Sequence, residues 1–120
     1  MTRQEAEEAL RLLAAEFKIP APRIRWSHRM TRGRAIYAKH EVIIGPKLWR
    51  GMDCVLHEFA HLLQYKTTGR ACRGHREAFV YSLRKTARAW YGDDSRYAWQ
   101  TEYPTVRKII RTLEDSSDVR

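Results

Sequence analysis

The stretch Met52-Asp53-Cys54-Val55-Leu56-His57-Glu58-Phe59-Ala60-His61-Leu62-Leu63-Gln64-Tyr65 sets the frame for the rest of the chain. Met52, Val55, Leu56, Phe59, Leu62 and Leu63 recur at the spacing that lines one broad side of an α-helix, so a buried helix is predicted from Arg50 to about Tyr65. His57 and His61 stand four apart within it and share a face, from which two imidazole nitrogens can reach a single metal ion. Glu58 projects beside them, where a carboxylate can accept the proton of a zinc-bound water without itself becoming a ligand. This His-Glu-x-x-His string also arises by chance, and a catalytic zinc usually takes three protein ligands with a fourth position open. The reading therefore requires a third donor.

His75 is the best candidate. It lies beyond Thr67-Thr68-Gly69, which are expected to break the first helix, and it opens a second helical pattern from about His75 to Trp90 that carries Phe79, Leu83, Ala87 and Trp90 along one side. A reversal in the Lys66 to Gly74 loop would return it to the metal. Glu77 is the reserve ligand, but two residues from His75 it points elsewhere on the helix and reads as structural. Cys72, three residues before His75, could supply a fourth donor and close the coordination sphere, giving a structural site in place of a hydrolytic one. Cys54, one turn before His57, reads as a small core residue, and His28 and His40 as surface or strand-end residues.

Upstream of this helix the periodicity changes. Arg23-Ile24-Arg25-Trp26, Arg34-Ala35-Ile36-Tyr37-Ala38 and Glu41-Val42-Ile43-Ile44 read as three short strands, punctuated by Thr31-Arg32-Gly33 and Gly45-Pro46. The second and third pair through a tight connection at Lys39-His40, and the three are expected to make a small, mainly antiparallel sheet. Ahead of them Ala6, Ala9, Leu10, Leu13 and Phe17 form the stripe of a packing helix over residues 3 to 17, stopped by Ile19-Pro20-Ala21-Pro22. Downstream, Gly92-Asp93-Asp94-Ser95 closes the second helix and a last one follows Pro104. Trp90, Tyr91, Tyr97, Trp99 and Tyr103 are expected to pack these helices onto the core, and spacing singles out none of Tyr81, Tyr97 and Tyr103 as an oxyanion donor. Residues 115–120 carry no large apolar anchor and read as a frayed tail. The order of elements indicates an α+β fold in a single domain over residues 1–120.

The chain carries a net charge of +9, largely from arginine, a side chain suited to bidentate contact with phosphate. Nucleic acid is thus an expected partner, beside the plainer alternative of a solvated basic surface, since the arginines are scattered. No apolar run is long enough to cross a bilayer, and the amphipathic N-terminus lacks the apolar centre of a signal peptide, so a cytoplasmic protein with no membrane partner is expected. In that reducing setting Cys54 and Cys72 stay thiols.

His57-Glu58-Phe59-Ala60-His61, a loop, then Gly74-His75 leading into Glu77-Ala78-Phe79 resemble the metal core of the SprT-like zinc metallopeptidases, over about residues 23–90. The resemblance implies a small zincin-like domain with one Zn2+ held by His57, His61 and His75, Glu58 as the catalytic residue, a short hairpin before the active-site helix, and protein or peptide substrates. Some members of that family act on proteins crosslinked to DNA and carry a further zinc- or DNA-binding segment; two cysteines are too few for a four-cysteine ribbon here. The strand from Arg34 to Ala38 is the candidate edge for pairing with an extended substrate, against the alternative of an ordinary edge guarded by Arg34 and Lys39. The rival to a peptidase is a non-catalytic, zinc-stabilised module that binds nucleic acid or protein, favoured if Cys72 completes the site.

Overall fold

Glu41-Val42-Ile43-Ile44 is the most apolar of the three strand segments, and in a computed structural model of the chain it occupies the middle of the sheet. The structure describes residues 1–70 and 74–118, with side chains up to residue 114. Strand β1 spans Arg23–Trp26, β2 Arg34–Ile36 and β3 Glu41–Ile44, in the order β1-β3-β2. Val42 and Ile44 are wholly buried beneath the helices. β2 runs antiparallel to β3 as expected, with Ala35 opposite Val42. β1 instead joins β3 in parallel, Ile24 beside Val42, so the sheet is mixed. The physical reason is burial: β1 alternates Arg23 and Arg25 with its apolar residues and suits an edge, while β3, which buries Val42 and Ile44 completely, takes the middle with a neighbour on each side and pairs its Glu41 with Arg25 at 2.9 Å. Chain leaving β3 passes so close to the end of β1 that a Cβ on Gly45 would lie 1.8 Å from the Ser27 carbonyl oxygen, so only glycine fits there.

β2 is shorter than the alternating pattern suggests. Tyr37–Lys39 coil into a single 3-10 turn, and His40 takes a left-handed conformation (φ 48°) that swings the chain into β3. The His40 ring nitrogen lies 2.6 Å from the Pro20 carbonyl oxygen, which gives this histidine the strand-end role expected of it.

Four helices complete the α+β fold: α1 (Arg3–Phe17), α2 (Met52–Thr68), α3 (Glu77–Tyr91) and α4 (Pro104–Asp118). A reciprocal box between Thr2 and Glu5 caps α1, which buries Ala6, Ala9, Leu10, Leu13 and Ala14. α2 runs through Thr67 and Thr68 instead of breaking there. Their hydroxyls donate back to the carbonyls of Leu63 (2.8 Å) and Gln64 (3.1 Å), and the stop is Gly69 with φ 73°. α3 begins at Glu77, leaving His75 in the preceding turn, and ends on the left-handed Gly92. α4 remains helical into the stretch that composition marks as a tail, and residues 119–120 lie outside the described residues. Val55, Leu56, Phe59 and Ala60 put α2 at the centre of the core, packed by α1, α3 and the sheet. Among the described residues no helix is long and apolar enough to cross a membrane.

Candidate metal centre

A helix buried on nearly every side cannot leave polar side chains unpartnered without a cost of a few kcal/mol each. Yet α2 buries both His57 and Glu58, at 4% and 7% exposure. For His57 the partner comes from far along the chain: its Nδ1 lies 2.7 Å from Oε2 of Glu102, whose side chain has no exposed surface. That same oxygen accepts from Arg50 (2.9 Å) and from the Tyr97 hydroxyl, and Arg50 also donates to Tyr97 (2.8 Å) and to Thr101 (2.7 Å). Burial alone would raise the Glu102 carboxyl, but the hydrogen bonds from His57 and Tyr97 and the Arg50 charge outweigh it and hold it down at about 2. With Nδ1 donating to an ionised carboxylate, the lone pair of His57 is left on Nε2.

That Nε2 faces the other two histidines. It stands 3.1 Å from Nε2 of His75, and the three residues His57, His61 and His75 each offer a ring nitrogen within 4.8 Å of the others. Nδ1 of His61 sits 3.2 Å from the Tyr37 hydroxyl, so this ring too is anchored by one nitrogen. Aromatic faces hold the remaining orientations: His61 stacks on Phe79 at 4.0 Å between centroids, and His75 on Tyr103 at 4.4 Å. Burial, reinforced by the neighbouring histidines, pushes His61 down to about 3, and burial with the nearby His57 lowers His75. Neutral imidazoles aiming lone pairs at one point repel one another unless a cation lies between them. This set could hold a metal ion, and an all-imidazole donor set is consistent with zinc.

Glu58 lines the same cavity as His57. Burial, with the neighbouring Glu102 charge adding to it, pushes its carboxyl up to about 7 against the opposing pull of His57, the Arg50 charge and the backbone N–H of Ala35. The segment entering β2 lies flush on this side chain, because a Cβ on Gly33 would come within 2.7 Å of the Glu58 Cγ. The Gly33 N–H also donates to Sγ of Cys54 at 3.3 Å, and burial drives that thiol up to about 11, leaving Cys54 the inert core residue its position suggests. Above Glu58 opens a cavity of about 230 Å³ whose walls include Gly33, Trp49, His57 and Tyr103.

The structure thus brings together His57, His61 and His75 and sets Glu58 beside them. Glu77 stays apart: it is exposed at the start of α3 and lines a separate groove with Lys108 and Thr112. Cys72 lies outside the described residues. Sequence reading missed Glu102, Arg50 and Gly33. Glu102 meets His57 across 45 residues of sequence, and no local spacing announces such a contact. The aromatic run did hold a clue, since a buried tyrosine needs a polar partner, and Tyr97 finds its partner in Glu102.

Comparison with models of protein families matches residues 3–102 to the SprT-like family, a span that includes all three histidines, Glu58 and Glu102. None of the curated proteins and none of the solved structures compared with the chain matches it.

Proposed function

The chain belongs to the SprT-like family, and from that premise we propose that it is a zinc-dependent metallopeptidase that hydrolyses peptide bonds in protein substrates. The observation that carries the proposal is the convergence of His57, His61 and His75 beside a buried Glu58 that opens onto a cleft. His57, His61 and His75 would hold the zinc, which supplies Lewis acidity toward water and toward the scissile carbonyl. Glu58 takes the proton of the attacking water and delivers it to the leaving amide nitrogen, as the general base and then the general acid. A carboxyl raised to about 7 suits both halves of that transfer near neutral pH. β2 lies at the sheet edge in contact with α2, and we place the extended substrate along it.

The decisive comparison is wild type against Glu58→Gln, each loaded with zinc and offered an unfolded protein substrate. The variant should keep one zinc per chain and lose cleavage. Cleavage at the wild-type rate would disprove the role given to Glu58. A net charge of +9 supports a polyanionic partner, so single-stranded DNA belongs in the same assay. Binding that weakens steeply with salt supports such a partner; no binding at physiological salt counts against it.

A further inference from the structure

Among the described residues four large apolar side chains stand exposed: Leu12, Trp49, Tyr81 and Tyr103. Single exposed apolar residues are ordinary, but two of these four, Trp49 at 68% and Tyr103 at 43%, line one cavity, the cavity beside Glu58 and His57. Aromatic side chains presented at the lip of a cleft that adjoins the reacting groups are surface kept for a partner.

The lip is built rather than loose. The Trp49 N–H donates to the Thr31 carbonyl at 2.8 Å, tying the segment before α2 to the segment before β2. On the opposite wall Tyr103 stacks on His75 with an interplanar angle of 15° and leads directly into Pro104, whose ring fixes the first turn of α4. At about 230 Å³ the cavity is smaller than the ~300–1,000 Å³ of a site for a whole small molecule, and it suits one large side chain. Its fixed charge is already spent: Arg50 is committed to Glu102, Tyr97 and Thr101, which leaves exposed Arg32 as the cation at the rim.

We infer that this cavity is the subsite for the substrate side chain adjoining the scissile bond, that it takes a large apolar or aromatic residue, and that Trp49 determines the preference. The inference rests on the peptidase reading and names the substrate class of that same site. Continuity with Glu58 selects the occupant: a side chain in this cavity belongs to a residue whose backbone lies within reach of the carboxylate.

The test is digestion of a random peptide library by the zinc-loaded full chain, with mass-spectrometric mapping of the cut positions, for wild type, Trp49→Ala and Trp49→Phe. Wild type should enrich Phe, Leu, Tyr, Trp or Met at one position next to the cut by about tenfold over Ala. Trp49→Ala should flatten that enrichment and Trp49→Phe should retain most of it, with circular dichroism checking that both variants fold. Cleavage without apolar enrichment, enrichment of Asp or Glu that points to Arg32, or an apolar preference equal in Trp49→Ala each overturns the subsite while leaving the peptidase reading intact. No cleavage at all by wild type removes the peptidase reading and this inference with it.

Discussion

Glu102 and Glu58 flank His57 and line one cavity, but Glu102, with no exposed side-chain surface, takes hydrogen bonds from His57, Arg50 and Tyr97, whereas Glu58 is nearly as buried without such a set of donors. Both are glutamates with little water around them. Their protonation is displaced in opposite directions, Glu102 down to about 2 and Glu58 up to about 7. Burial pushes both up, so the difference comes from the partners. Three donors make Glu102 a fixed anion that orients a histidine. Glu58 has only weaker help, and is left able to gain and lose a proton near neutral pH. One carboxylate is held as a fixed anion; the other is the one the proposed function draws on.

The sharpest way to separate the two is to neutralise each carboxylate without changing its shape. Glu58→Gln should lower kcat by about two to four orders of magnitude, the usual weight of a general acid–base group, with zinc stoichiometry unchanged in metal analysis. Glu102→Gln should act on the metal instead. Losing the anion behind His57 is expected to weaken zinc binding by about 10–100-fold in chelator competition. It also strands the Arg50 charge at 9% side-chain exposure, so urea denaturation of the metal-free protein should show a clear stability loss. Zinc affinity unchanged in Glu102→Gln would remove the distinction between the two carboxylates.

A pH series on the metal-free protein sharpens the comparison further. Glu102 has a folded-state pKa below the ordinary 4.5, so its contribution is complete above about 4.5 and is lost as pH falls toward 2. Glu58 has the reverse shift: from about 4.5 to 7 the unfolded chain gives up this proton first, so the folded state loses stability as pH rises through that window. His61, pushed down to about 3, adds stability with rising pH over an overlapping range. The difference between wild type and Glu58→Gln isolates the carboxyl, and the wild type should lose ground to the variant between pH 4.5 and 7 in urea midpoints. Parallel curves would contradict the raised pKa.

The smallest expected effect comes from Gly33→Ala. Its new methyl would fall 2.7 Å from the Glu58 Cγ, a flexible side chain that can yield. The fold should survive and zinc should bind as before, while displacement of the base costs about tenfold in kcat. A fully active Gly33→Ala enzyme would show that the position of Glu58 is less constrained than the packing implies.

What could be read from the sequence follows the range of each interaction. His57, Glu58 and His61 follow from helical spacing, and His75 stands out as the opening residue of the second helical pattern, although α3 itself begins two residues later at Glu77, so the candidate site was visible in local pattern. The three strands were visible too, but the parallel partnership of β1 with β3 was not, because it depends on which strand the core selects as its centre. Thr67 and Thr68 read as breakers because their hydroxyls compete for backbone groups; here they spend that capacity on the carbonyls four residues back and lengthen α2. Gly33 announced a turn but not its contact with Glu58, and Glu102 was signalled only indirectly, by the need of a buried tyrosine for a polar partner, since both act across the tertiary structure.

The central claim is a metal ion held by three imidazoles with one coordination position left open in front of Glu58. Zinc K-edge X-ray absorption on the zinc-loaded full chain measures this directly. The account predicts three nitrogen donors at about 2.0–2.1 Å, a further light oxygen donor and no sulfur. A sulfur shell at about 2.3 Å, as Cys72 would supply, or four protein nitrogens, would close the site and contradict it, making the domain a zinc-stabilised binding module.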